Sequence, residues 1–341
     1  MVIINKKILL VKNKERVSFM KQYIIRRIFI SLIVLVGVSF LLYSIIYFMP
    51  GDFITTITSG NPNITEEAKE NLRELYGINK GLFEGYFNWA TSALKGDFGV
   101  SFVFQEPVTK IIKDRMWISF WLSFIAFVIQ ILLAIPLGVI AARKQYSKLD
   151  YSIVTFALAG ISLPSFFFAA ILQKIFAIDL GILPLQGMVT ARKNLEGVAL
   201  ILDMGKHFIL PIIVFVITSM GAWLRYTRNN MLEVLNADYV RTARAKGVPE
   251  RVVIGKHAFR NTLIPIITMI GGSLPSLFAG AIITEGIFSI DGLGNIALKA
   301  VNQGDIPFLM GYFMFLAVLT LLGTLLSDIL YAVVDPRVRY N

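Results

Sequence analysis

Across 341 residues, 56% are hydrophobic and 16% charged. That balance is too apolar for a water-soluble domain, so the solvent for most of the chain is lipid. The net charge of +11 reads as Lys and Arg gathered in cytoplasmic loops rather than as a footprint for nucleic acid. With no cysteine, disulfides, thiol catalysis and Cys-ligated metals are excluded.

Six uncharged runs reach or approach the roughly 20 residues of helix that a bilayer requires: 28–49, 117–142, 151–173, 208–224, 261–284 and 306–327. Ahead of the first lie eight Lys and Arg against one acid, Glu15. The second and fourth connections are also basic, whereas the first, third and fifth are neutral or acidic. The positive-inside rule then places both termini in the cytoplasm. The first run is too long for a signal-peptide core, and Phe48-Met49-Pro50-Gly51-Asp52 offers no small-x-small cleavage site, so it reads as a retained anchor. Met20-Lys21-Gln22-Tyr23 begins like a complete membrane protein, and the Lys-rich stretch before Met20 is expected to be dispensable.

The organisation expected is a cytoplasmic tail at 1–27, a first span at 28–49, an extracytoplasmic loop at 50–116, a five-helix core at 117–333 and a cytoplasmic tail at 334–341. Within the long loop, apolar spacing predicts helices at 66–75 and 82–94, with Thr65 as a cap and Gly77 as a stop. Pro136, Pro164, Pro211, Pro265 and Pro275 fall in or beside spans, where a missing backbone donor creates kinks.

The longest polar segment of the second half, 237–265, is basic and flanked by hydrophobic runs. Its grammar is two short helices around a turn. Asn236 or Asp238 suits the first cap, Gly247 a position needing φ > 0, and Pro249 the first turn of the second helix. Such an element between spans belongs on the cytoplasmic side, where it meets a partner.

Catalytic chemistry is missing. No G-x-x-x-x-G-K-[ST], G-x-S-x-G or H-E-x-x-H occurs, and His207 and His257 fall on opposite sides of the membrane by this topology. Ion-coupled carriers place ionisable groups at mid-membrane. Here Lys174, Glu285 and Asp328 lie at span ends, and Gln130 alone is clearly interior. An energy source outside the chain is the better reading.

The 237–265 segment resembles the cytoplasmic EAA loop of membrane subunits of binding-protein-dependent ABC importers. Arg241-Thr242-Ala243-Arg244-Ala245-Lys246-Gly247 is similar to the version found in the peptide/nickel branch. The likeness extends from Met20 onward: Arg26-Arg27, Met49-Pro50-Gly51-Asp52, Lys95-Gly96-Asp97-Phe98-Gly99, Ser162-Leu163-Pro164-Ser165-Phe166, Leu183-Pro184 and Asp335-Pro336-Arg337 all match. Gly51-Asp52, Gly96-Asp97 and the long first loop resemble the B-type subunit of oligopeptide and dipeptide permeases. Two positions depart: Arg241 replaces the acid that names the loop, and Asp291 stands where the family commonly has Pro.

The resemblance implies an all-α polytopic protein of the type I ABC importer transmembrane fold, multi-pass in a bacterial or archaeal cytoplasmic membrane, with no enzyme activity. It implies a second homologous permease subunit forming a heterodimer, two ABC ATPase subunits that bind the ATP, and an extracytoplasmic solute-binding protein. No cofactor or metal belongs to this chain. The loop across 225–260 would dock an ATPase groove through Asp238, Tyr239, Arg241, Thr242, Ala243, Arg244, Ala245, Lys246, Gly247 and Pro249. Gln130, Pro164, Pro275 and Asp291 are the candidates for pathway or gate. The cargo implied is an oligopeptide or dipeptide; the alternatives are nickel or another small solute, or a stand-alone carrier.

Overall fold

The computed structural model describes residues 2–48, 65–76, 81–191 and 195–334. Its helices are α1 (Val2–Tyr47), α2 (Glu66–Tyr76), α3 (Leu82–Leu94), α4 (Val108–Arg143) and α5 (Lys148–Ser162). Next come α6 (Ser165–Leu172), continued by a π-helical segment Gln173–Asp179, then α7 (Gly197–Leu235) and α8 (Asp238–Ala245). The chain ends with α9 (Glu250–Val252) and a π-helical segment Val253–Ala258, α10 (Phe259–Ala279), α11 (Ile282–Ile287), α12 (Leu293–Gln303) and α13 (Ile306–Val334). No strand forms among the described residues; one bridge pairs Val100 with Pro107.

The fold is all-α and polytopic. Among the described residues, five helical stretches are long and apolar enough to span a membrane: Tyr23–Ile45, Val108–Arg143, Gly197–Leu235, Glu250–Ile287 and Ile306–Tyr331. A sixth is the pair Lys148–Ser162 and Ser165–Asp179, which turns through 99° at its break. The run at 151–173, read from sequence as one span, is therefore broken in the structure. Leu163 and Pro164 are both extended, with ψ of 124° and 127°, because the proline ring disfavours helical backbone in the residue before it. Pro136, Pro211, Pro265 and Pro275 instead lie inside helices that continue past them.

The chain divides into two compact units. The first contains Met1–Asp97, Ile267–Ser273 and Phe313–Asn341. Here α3 packs on the C-terminal half of α1, the Ser327 hydroxyl donates to the Thr268 carbonyl at 2.9 Å, and Arg27 of α1 meets Asp328 of α13 at 2.9 Å. An Arg–Asp pair inside apolar helices is tolerated because each charge supplies the other's partner.

The second unit contains Phe98–Ile266 and Leu274–Tyr312. Its axis is α7, packed along both α4 and α5. Close approach there depends on small residues, as it does wherever helices associate without a hydrophobic driving force. At Gly138 of α4 a Cβ would lie 2.8 Å from both the Leu224 carbonyl oxygen and the Thr227 Cβ; at Gly221 of α7 it would press on the Ala157 carbonyl and sit 2.7 Å from Ile161. Gly221→Leu should therefore lower the thermal midpoint of the detergent-solubilised protein, with overpacking costing about 1–3 kcal/mol. An unchanged midpoint would show that the α5–α7 contact yields without strain.

A buried apolar cluster joins Leu122 of α4, Ala169 and Leu172 of α6, Phe208, Leu210 and Val214 of α7, and Phe288 and Ile290 beyond α11. At the other end of α4, the segment before Val108 folds back onto the start of α13. There the buried Asp305 carboxylate accepts from the Ser101 hydroxyl and from the amides of Phe102 and Phe308, the latter two at 3.2 and 3.3 Å. One carboxylate thus caps a helix and fixes a loop.

Candidate coupling site

The length of α7 positions the basic element. At about 1.5 Å per residue its 39 residues extend about 58 Å, well beyond a hydrocarbon core of about 30 Å. The sequence run at 208–224 is only its apolar middle. Its last turns carry α8 clear of that middle.

Neither residue read as a cap for α8 acts as one. Asn236 ends α7, its side-chain amide donating to the Leu232 carbonyl at 2.9 Å. Ala237, extended at φ −70° and ψ 147°, is the boundary residue, and no side chain caps the helix. Asp238 occupies the first turn, where the helix dipole favours an anion.

Two residues one turn apart, Val240 and Ala243, anchor α8. Both are buried, in one cluster with Ala142 of α4, Met231 of α7, and Val253, Ile254 and Ala258 of the following π-helical segment. The helix stops at Gly247, φ +73°. The Gly247 amide donates to the Arg244 carbonyl at 2.9 Å and the Val248 amide to the Ala243 carbonyl at 3.2 Å. That pair of bonds is the Schellman closure, and Val248 packs against the same cluster. Pro249 then precedes α9 as its boundary residue, one place earlier than the first-turn position read from sequence.

Arg244 closes the element on itself. Its Nε and Nη2 donate to the two Glu250 carboxylate oxygens at 3.2 and 2.9 Å, and Nη1 reaches the Leu235 carbonyl at 3.4 Å. The hydrogen bonds to Glu250 push the guanidinium's pKa further up, so Arg244 stays ionised. Tyr239, Arg241, Thr242, Ala245 and Lys246 are exposed. Thr242 satisfies its hydroxyl on the Asp238 carbonyl at 2.8 Å, and Arg241 stands 3.8 Å from the fully solvated Asp238. Lys246 forms no ion pair among the described residues. The exposed face thus carries a tyrosine ring and two cations on a foundation held by apolar contacts, a Schellman closure and a fork.

Sequence reasoning missed the strut behind this element. Arg228 of α7 donates through Nε and Nη2 to the two oxygens of Asp150, both at 2.7 Å. Asp150 also accepts the Tyr146 amide at 3.0 Å, and its own amide donates to the Ser147 hydroxyl. Tyr146 sits at φ 62°, a conformation uncommon outside glycine. Only the local cap carried a signal, the [ST]-x-x-[DE] spacing of Ser147-Lys148-Leu149-Asp150, and nothing in it points to Arg228.

No hydrogen bond or ion pair among the described residues joins the four residues read as pathway or gate. Gln130 is buried on α4, Pro164 is exposed at the broken span, Pro275 lies inside α10, and Asp291 meets Lys299 at 3.5 Å. None of them lines the 260 Å³ cavity formed by Phe104, Glu106, Ile111, Asp114, Arg115 and Ile296. Glu285 is wholly buried, accepting from the Ser119 hydroxyl at 2.8 Å and from the amides of Ala281 and Asn295 at 3.1 Å each. Ser119 in turn accepts the Leu293 amide at 2.8 Å. This carboxylate knots the turn between α11 and α12 to α4. His207 pairs its Nδ1 with the Asp203 carbonyl at 2.9 Å, and no group of metal-ligating side chains occurs among the described residues.

A bundle of apolar spans carrying a clasped, basic, amphipathic helix beyond its membrane-crossing part defines an integral membrane component of a transport machine. The family described as binding-protein-dependent transport system inner membrane component matches residues 134–340, and that described as the N-terminal part of the membrane component of such systems matches residues 20–123. The chain belongs to this family of inner membrane transport components, and it is not an enzyme. It is 38% identical over 322 residues to the oligopeptide transport system permease protein AppB of Bacillus subtilis, covering 94% of this chain and 100% of that one. It is 34% identical over 339 residues to the dipeptide transport system permease protein DppB of Escherichia coli K12, covering 94% and 100%.

Proposed function

We propose that the chain is the pore-forming permease subunit of an ATP-driven peptide importer. Both termini are cytoplasmic, with a tail at 1–27, a first span at 28–49, an extracytoplasmic loop at 50–116, a core at 117–333 and a final tail at 334–341. The substrate assignment is supported by near-full-length similarity to oligopeptide and dipeptide permeases. Coupling to ATPase subunits is supported by one observation above the rest: α8 offers an exposed face while Val240 and Ala243 root it in the bundle.

In this reading α8 lies in a groove of an ATPase subunit. Tyr239 supplies an aromatic anchor, while Arg241 and Lys246 meet acidic groove residues. Arg244 is the internal staple that keeps α8 at a fixed angle to α9. Asp238, Thr242, Ala245 and Pro249 shape the rim, with Gly247 as the corner. ATP-driven closure of the ATPases pushes α8, and the push enters the bundle through α7. A second homologous permease subunit completes the pathway, and an extracytoplasmic binding protein delivers the cargo. Gln130, Pro164, Pro275 and Asp291 belong to the pathway or its gate.

Tagged protein extracted from its own cell in mild detergent should co-purify with a second six-span subunit, P-loop ATPases and a solute-binding protein carrying peptide. Recovery of the chain alone, even after cross-linking from Arg241, would overturn the importer; nickel on the binding protein would overturn the peptide assignment.

A further inference from the structure

The sequence reading placed the helix at 82–94 in an extracytoplasmic loop. The first compact unit points elsewhere, on three observations.

The first is depth. Tyr86 of α3 shares a 2.8 Å hydrogen bond with the Ser39 hydroxyl and reaches the Val36 carbonyl at 3.4 Å. Ser39 and Val36 lie inside the apolar span Tyr23–Ile45. At about 1.5 Å per residue they are about 9 and 14 Å back from its end, against a half-thickness of hydrocarbon of about 15 Å. Tyr86 also packs edge-on to Phe40, and Tyr43 meets Trp89 at 5.9 Å. Contacts this far along a span are not made from bulk water.

The second is the outward stripe. Phe83, Phe87, Thr91 and Leu94 follow an i, i+4, i+8, i+11 spacing, opposite the buried Gly85 and Trp89. Phe83, Phe87 and Leu94 are 74, 70 and 88% exposed. The one hydroxyl on the stripe is already satisfied, Thr91 donating to the Asn88 carbonyl at 2.8 Å.

The third is continuity. Leu41 and Ile45 of the same half of α1, and Phe48 just after it, are also exposed, so the stripe on α3 adds to an apolar surface of the span Tyr23–Ile45. The Tyr43–Tyr86–Trp89 cluster is the chemistry of an interfacial aromatic belt.

We infer that α3 is embedded in the leaflet at the C-terminal end of α1, with Phe83, Phe87 and Leu94 against acyl chains. The loop is then a second lipid anchor. The chain's lack of cysteine allows a direct test. Spin labels on Phe87→Cys, Thr91→Cys and Leu94→Cys would be read in the assembled complex in phosphatidylcholine nanodiscs, with the unaltered complex as background and Glu74→Cys on α2 as the aqueous control. Oxygen should relax the three stripe labels strongly and a water-soluble nickel chelate hardly at all, giving an oxygen-to-nickel ratio several-fold above that at Glu74. A Glu74-like ratio across the stripe would overturn the inference in favour of a solvated cap. Labels shielded from both relaxants would overturn it in favour of a protein partner.

Discussion

Gly247→Val should lower transport by about tenfold while leaving the complex assembled. No atom comes within 4 Å of a Cβ built on Gly247, and its φ is +73°, so the penalty is conformational rather than steric. A β-branched residue in that region costs about 1–3 kcal/mol, and every 1.4 kcal/mol is about a factor of ten. The strain is relieved by abandoning the Schellman closure, which releases the Val248 amide from Ala243 and swings Glu250 away from Arg244. The element persists, but it no longer transmits force at a fixed angle. Gly247→Asn separates this account from a general loss of fold, because asparagine tolerates the left-handed region and should retain most transport. Uptake and ATP hydrolysis measured together in proteoliposomes decide the matter. Wild-type uptake by the valine variant would end the case for a rigid corner.

The second large effect is expected at Asp150 and Arg228. Asp150 is 2% exposed and bound by a two-pronged guanidinium. Removing one partner from a buried pair costs about 3–5 kcal/mol, much of it for stranding the other charge. The lower end applies here, because Arg228 keeps some contact with solvent. Asp150→Ala and Arg228→Ala should each depress the thermal midpoint severely, and the double variant should fall by less than their sum. Arg228→Ala spares the Asp150 bond to Tyr146, so the Asp150 single should be the worse of the two. Strictly additive losses would mean that the pair is not a strut.

The spans were legible because twenty apolar residues in a row have few other uses, and Gly247 and Pro249 were legible because their backbone preferences are local. Pro164 was legible only as a kink. Five prolines look alike in sequence, yet one breaks its span through 99°, and what separates it is the extended Leu163 before it. The strut and the knot were invisible for a different reason: Asp150 and Arg228 are 78 positions apart, and Ser119 and Glu285 are 166 apart. No periodicity encodes such a meeting. The fork from Arg244 to Glu250 was equally hidden, because the acid six residues away sits beyond a turn whose geometry the sequence does not draw.

The unbroken course of α7 makes it a lever. Pro211 removes one backbone donor inside that helix and is its natural fulcrum, 24 positions before Leu235. At about 1.5 Å per residue that arm is about 36 Å, so a tilt of about 10° carries α8 through about 6 Å. The shorter arm, from Pro211 back to Gly197, is about 21 Å and moves a little over half as far in the opposite sense. A stroke delivered at the basic helix by the proposed ATPase partner would thereby be geared down into a smaller displacement at the other end of α7.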